Sequence, residues 1–253
     1  MKFEGEDEGD RLIAVQVCRD DQDILLATRN GRAIRFPVDK VRVFAGRSSV
    51  GVRGVRLLGD DEVISMTLVD SGKDVTSAER DAYVRQMRAL RAAENGVEED
   101  DSNGHEPQAE GENGAESAEA TPTVETLSEE RLRELEGREE FILTATSDGF
   151  GKRTSAYSFR VTGRGGQGVA LIALAEGAQV VAMFPVKPRD QIMLASDGGM
   201  VVRIPVEGIR IMGRAGRGVR LADVREGERV ASVTRIDDDS GEDADGGDEG
   251  EPG

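Results

Sequence analysis

The same order of residues recurs along the chain at a fixed spacing, and this repetition limits the possible folds more than any other feature. Gly149 and Gly199, Arg153 and Arg203, Gly163 and Gly213, Gly168 and Gly218, and Val180 and Val230 each stand 50 residues apart. An earlier copy carries Gly31, Arg35, Pro37, Gly46, Gly51 and Val63 in the same order. Residues 26–38 align without a gap on residues 194–206, and residues 9–15 match 227–233. Three repeats therefore follow the tail end of a fourth. A period of this size marks a repeat array, whose units cannot bury both faces alone and must stack on one another.

Within a repeat the periodicity is that of strands. Residues 12–18, 24–28, 33–36, 41–44, 52–58 and 62–68 alternate or run apolar over short lengths, with glycine turns between them. Asn30-Gly31 supplies a hairpin turn, and Pro37 marks a strand end or edge. Cys18 reads as a small apolar residue in the first strand. About four strands per repeat and no helix signal inside any repeat predict an all-β, propeller-like fold of stacked blades. So few blades would not close most rings. An open ring is expected, or a part of a longer array, which the start in mid-repeat favours.

Residues 71–140 interrupt the array. Residues 76–91 read as a helix capped by Thr76 or Ser77, with Tyr83, Met87 and Leu90 on one stripe and an end at Asn95-Gly96. A second helix is expected from Thr126, with Glu129 completing a capping box and Leu132 and Leu135 on its apolar face, ending at Gly137. Between them the run is acidic and too poor in apolar residues to fold. The expected organisation is the end of one blade plus a full blade over 1–70, inserted helices with a disordered acidic linker over 71–140, two further blades over 141–236, and a disordered acidic tail over 237–253. The insertion reads as a helical hairpin, or alternatively as a partner site on the Tyr83 stripe.

Charge separates the same segments. The formal net charge is −17, yet residues 94–126 hold eleven acidic residues and residues 237–253 hold nine, with no Lys or Arg in either. Residues 141–236 carry 14 Lys and Arg against 8 Asp and Glu. Basic repeats between acidic spacers suggest a polyanion partner. One cysteine and one histidine, His105, exclude an internal disulfide and a Cys/His zinc site. No run of 18 apolar residues predicts a membrane span, and the acidic first ten residues are unlike a signal or transit peptide, so a cytoplasmic location is expected.

Gly163-Arg-Gly165-Gly-Gln-Gly168 spells G-x-G-x-x-G, but no helix pattern follows it and related loops recur at Gly213 to Gly218 and Gly46 to Gly51. A dinucleotide turn needs a strand before and a helix after, so these six glycines (Gly46, Gly51, Gly163, Gly168, Gly213, Gly218) read as architecture. Basic residues also recur: Arg35, Arg153 and Arg203 after the hairpin, Arg47, Arg164 and Arg214 in the glycine loop, and Arg53 and Arg220 two places beyond it. With Lys152 and Arg217 they predict a basic stripe along stacked blades, suited to the phosphates of duplex DNA. Few exposed aromatics disfavour single-strand stacking, and no repeated polar group suggests base reading.

The run Asp197-Gly-Gly-Met-Val-Val-Arg-Ile-Pro-Val206, then Gly213-Arg-Ala-Gly-Arg-Gly-Val219, then Glu226-Gly-Glu-Arg-Val230 resembles the blades of the C-terminal DNA-wrapping domain of the DNA gyrase A protein. The resemblance covers roughly residues 10–70 and 140–253. It implies a β-pinwheel that bends duplex DNA around its rim, in an enzyme that supercoils DNA with ATP and magnesium. The implied partners are the gyrase B protein and the rest of the A protein. The corresponding part of topoisomerase IV is an alternative, as is a propeller that binds only proteins. The family's Gln-Arg-Arg-Gly-Gly-Lys-Gly box is absent; Thr162-Gly-Arg-Gly-Gly-Gln-Gly168 looks like a later blade's version of it. Neither Tyr83 nor Tyr157 has the context of the family's nucleophile. The resemblance therefore implies a fragment without the catalytic half or the first blades, with no catalytic residue, metal or cofactor of its own.

Overall fold

The computed structural model describes residues 11–46, 50–95 and 126–237. The expected acidic linker, His105, Arg47 and the tail beyond Asp237 lie outside these residues. Among the described residues, eleven strands form three antiparallel sheets, one per repeat. In the first, β1 (Gln22–Thr28) pairs with β2 (Arg32–Pro37) across a turn closed by Gly31, whose φ is 79°. On its other side β1 pairs with β3 (Val63–Asp70), with a bulge at Ala27/Thr28. The second repeat builds the same unit from β4 (Phe141–Thr146), β5 (Phe150–Ser155) and β7 (Val180–Val186), with its bulge at Ala145/Thr146. The third uses β8 (Gln191–Ser196), β9 (Val201–Pro205) and β11 (Val230–Ile236).

The fourth strand of a sheet comes from the next repeat. β6 (Val169–Ala170) of repeat two pairs with β2, and β10 (Val219–Arg220) of repeat three pairs with β5. The orders are β3-β1-β2-β6, β10-β5-β4-β7 and β11-β8-β9. The expected four strands per unit are thus four in each of the first two sheets, shared between repeats, and three in the last among the described residues.

Alternation places the cores between sheets. Successive residues of a strand point to opposite faces. Ile142 joins Leu25, Ala27, Ala33 and Val69 between sheets one and two, while its neighbour Leu143 joins Ile192, Leu194 and Val206 between sheets two and three. β4 is apolar on both faces because each face meets another blade.

Several expected elements differ. Residues 12–18 form no ladder, and Leu12, Ile13, Val15 and Val17 are exposed. Each inner strand, β3, β7 or β11, pairs with a strand about 40 residues before it, and no described strand stands in that relation to Leu12. Cys18 is an exposed free thiol, not a buried strand residue. Residues 41–44 and 52–58 form no strand. Their counterparts in repeats two and three pair only because a preceding sheet lies beside them.

The insertion is helical. Thr76 and Glu79 form a reciprocal capping box at α1 (Ser77–Asn95), Thr76 Oγ1 accepting from Glu79 N at 3.2 Å and Glu79 Oε2 from Thr76 N at 2.9 Å. Ser128, not Thr126, caps α2 (Glu129–Glu136), because its Oγ accepts from Arg131 N. Tyr83, Met87 and Leu135 pack on Tyr157 of repeat two, with the Tyr83 and Tyr157 rings edge to face at 5.2 Å. The Tyr83 and Met87 positions of the stripe are therefore filled from within the chain, and Leu90 alone is exposed.

Candidate nucleic-acid interface

The basic residues of the repeats divide into an interior set and a rim set. Arg35, Lys152 and Arg153 are buried, which removes them from the expected exposed stripe. The cause is strand exchange, since the following repeat folds over β2 and β5. Arg35 pairs with Asp23 at 2.8 Å and donates to the Ala156 carbonyl at 2.8 Å and the Asp70 carbonyl at 2.6 Å. Arg153 donates to the carbonyls of Ile209 and Glu207. Lys152 Nζ donates to the Gly213, Arg214 and Gly216 carbonyls at 2.6, 2.5 and 2.7 Å. Burial, and then the nearby Arg214 guanidinium, push the Lys152 ammonium down to about 7. All three side chains clasp one repeat to the next. Recurrence in sequence marked a repeated joint here, as it did for the glycines.

Arg203 occupies the position of Arg35 and Arg153, yet it is exposed on β9, where no further repeat follows among the described residues.

The outer strands and glycine loops carry the rim set. Arg164 Nη1 donates to the Arg53 carbonyl at 3.3 Å, and Arg214 Nη1 donates to the Ala170 carbonyl at 3.1 Å. Arg53 and Ala170 are equivalent positions, so one grip fixes both loop arginines against the outer segment of the preceding repeat. Beside Arg214, Arg217 lies 3.9 Å above the Phe150 ring and Arg220 lies 5.3 Å from its centre. Arg217 also meets Asp148 at 2.8 Å, and Arg220 meets Asp223 at 2.6 Å. Burial raises the Asp148 carboxyl, but Thr146 and Arg217 outweigh it and hold the group below its ordinary range. Arg53, Arg164, Arg217 and Arg220 are exposed, and Arg214 is half-buried. Sequence reasoning missed Phe150, which orders two of these arginines; its counterparts Arg32 and Met200 are not aromatic, so the repeat gave no signal for it.

The glycine loops divide as well. A Cβ on Gly168 would stand 2.3 Å from the Ala33 carbonyl oxygen, and one on Gly218 would stand 2.4 Å from that of Gly151. Both have positive φ, 71° and 95°. Gly163 and Gly213 have open space and no positive φ. Close approach therefore requires glycine at the second position of the two later loops, whereas Gly51 in the first has open space at a φ of 90°. Among the described residues no His, Cys, Asp and Glu group could hold a metal ion, and no helix is long and apolar enough to cross a membrane.

Comparison with known proteins agrees with this architecture. A family model described as DNA gyrase C-terminal domain, beta-propeller, matches residues 22–70, 140–187 and 190–237, one segment per repeat. The DNA gyrase A protein of Granulibacter bethesdensis is 49% identical over 197 residues, covering 76% of this chain and 20% of that protein. The Rickettsia bellii gyrase A protein is 41% identical over 199 residues, covering 76% and 19%. The chain thus spans about a fifth of the length of these relatives. Among solved structures, the C-terminal domain of DNA topoisomerase IV has a TM-score of 0.54 at 19% identity, covering 86% of this chain and 47% of that one. The E. coli ParC C-terminal domain scores 0.50 at 14% identity, covering 87% and 64%. These two show the fold alone. The threefold family match, falling on the three sheets that share their outer strands, places this chain in the DNA gyrase C-terminal β-propeller family.

Proposed function

We propose that the chain binds duplex DNA along the outer rim of its blades, through phosphates and without sequence preference, as the DNA-wrapping part of a gyrase A protein. The observation that carries this reading is the recurring grip on Arg164 and Arg214. It holds two guanidiniums at equivalent rim positions, with Arg53, Arg217 and Arg220 beside them. Guanidinium groups suit phosphate geometry and stay charged at any physiological pH. Backbone contacts position a protein on DNA but do not read bases.

In the whole enzyme, this part would act in the cytoplasm with the rest of the gyrase A protein and with the gyrase B protein, where ATP and magnesium drive supercoiling. In this reading the described residues contribute no catalytic residue and no cofactor site of their own. Both tyrosines support that reading. Burial, then Glu139, raises the Tyr83 hydroxyl, which donates to Glu139 at 3.0 Å, and burial raises that of Tyr157. Neither is poised to attack a phosphate. Titrating a labelled duplex at rising salt tests the reading. Neutralising about five phosphates predicts a slope of log K on log salt of roughly −4 to −5, equal for unrelated sequences. A slope near zero would leave the rim without this role.

A further inference from the structure

We infer that Lys152 is a positioning residue for the DNA rim: its buried ammonium shapes the loop that presents Arg214, and the chain takes up a proton there when a duplex binds. This rests on the DNA reading above, and it makes affinity depend on pH through one side chain.

The loop is built around the ammonium. Lys152 on β5 is wholly buried, and its Nζ donates to the carbonyls of Gly213, Arg214 and Gly216. An ammonium has three N–H donors and no acceptor, so these three carbonyls use it completely. A neutral amine has two donors, and its lone pair would face a carbonyl oxygen. The turn closed by the Gly216 N–H on the Gly213 carbonyl at 3.3 Å is therefore the turn of the protonated side chain. Arg214 lies within that turn, and its Nη1 donates to the Ala170 carbonyl.

The equivalent joint one repeat earlier has a different support. Ile34 takes the place of Lys152 and is buried with Phe36 and Val55. A Cβ on Gly166, the counterpart of Gly216, would stand 3.6 Å from Ile34 Cδ1. The loop of Arg164 thus rests on a methyl group and the loop of Arg214 on a charge, although both arginines are gripped alike. A titratable support stands under one of two equivalent rim positions.

The groups around Lys152 set the direction of the coupling. Burial first, and then Arg214, bring its pKa down to about 7. β4 opposite it and residues 169–173 of the neighbouring sheet carry no ionisable side chain. Arg153 on its own strand is turned to the Ile209 and Glu207 carbonyls. Arg217 and Arg220 lie over Phe150, and Asp148 is paired with Arg217. A phosphate at Arg214 offsets the repulsion from that guanidinium, so the bound chain holds the Lys152 proton more tightly than the free chain. Coupling is reciprocal, so the proton strengthens DNA binding by the same factor. Below pH 7 Lys152 is charged in both states and affinity is highest. As pH rises through 7 the free chain loses the proton that the bound chain keeps, and affinity falls.

A labelled duplex titrated against the full chain from pH 6 to pH 9, at constant ionic strength, tests this. Phosphates stand outside the loop, so the fall should be smaller than a direct ion pair would give, about three- to tenfold. Arg164→Ala should weaken binding at every pH and keep the fall. Lys152→Met and Arg214→Ala should each flatten it. Other groups that titrate in this range are common to all these proteins, so the comparison isolates Lys152. Circular dichroism checks that each variant folds. Should Lys152→Met unfold, calorimetry of the wild type still decides, since binding at pH 7.5 in buffers of different ionisation heat must show proton uptake. A wild-type affinity that does not change with pH, binding without proton uptake, or a folded Lys152→Met with an undiminished fall would each overturn the inference and leave the DNA reading intact. No binding at any pH would remove the DNA reading and this inference with it.

Discussion

The Arg35 guanidinium and the Asp23 carboxylate meet at 2.8 Å with 1% of each side chain exposed. Asp23 Oδ1 has no further partner, and burial raises its carboxyl despite the neighbouring guanidinium. The pair is a joint between blades, since Arg35 also holds the Ala156 carbonyl of repeat two. Removing one member of a buried pair leaves an uncompensated charge, whereas removing both can be nearly neutral. Arg35→Met should therefore lower the unfolding free energy by about 3–5 kcal/mol. The double variant with Asp23→Leu should recover most of that loss in chemical denaturation. Any of these variants that remains folded should keep the salt slope of DNA binding.

Lys152 supplies a second joint that can be titrated. Its pKa lies at about 7 in the fold against 10.5 when unperturbed. Between these values the unfolded chain holds the proton more than the folded one, so this group makes stability rise with pH across that window. The unfolding free energy of the wild type, minus that of Lys152→Met, should increase from pH 7 towards pH 10.5. At neutral pH, Lys152→Ile places the residue of repeat one's Ile34 here and removes the Lys152 donor from three carbonyls, two of which, Gly213 and Gly216, keep a backbone N–H donor. It should cost about 1–3 kcal/mol, read by denaturant midpoint.

The glycines make a graded prediction. Gly51→Ala meets open space and has only its left-handed backbone to overcome, a cost of about 1–2 kcal/mol. Gly218→Ala adds a clash with the Gly151 carbonyl and must shift the exchanged strand β10. Thermal unfolding should rank Gly218→Ala clearly below Gly51→Ala.

On the rim, replacing Arg214, Arg217 and Arg220 together by alanine should weaken binding of every duplex about equally. Three lost phosphate contacts should reduce the salt slope by roughly 2.7. Equilibrium titrations on two unrelated sequences would measure both effects. A loss confined to one sequence would contradict phosphate contact.

The period, the hairpins and the insertion were legible because each is written locally. The apolar run over residues 24–28 and the Thr76-x-x-Glu79 spacing depend on near neighbours alone. Strand exchange was not legible, because Val169 carries the same side chain whether it pairs within its own repeat or with Ala33 of the one before. The burial of Arg35, Lys152 and Arg153 follows from that exchange, so it was hidden for the same reason. A charge repeated at a fixed period looks alike in sequence whether it faces solvent or the next blade. Arg203 shows the difference is positional, since the same residue type stands exposed where the joint is open.

The two-residue ladders of β6 and β10 set the mechanics of the stack. Arg220 belongs to repeat three by chain but to sheet two by hydrogen bonds. A load applied to it is therefore carried by a different blade from the one that its own chain continues into. Each link of the rim overlaps its neighbour like a roof tile, so a pull on one blade is passed to the next through backbone and not through side chains alone. A hinge at a repeat boundary would have to break these shared ladders, so the construction resists it.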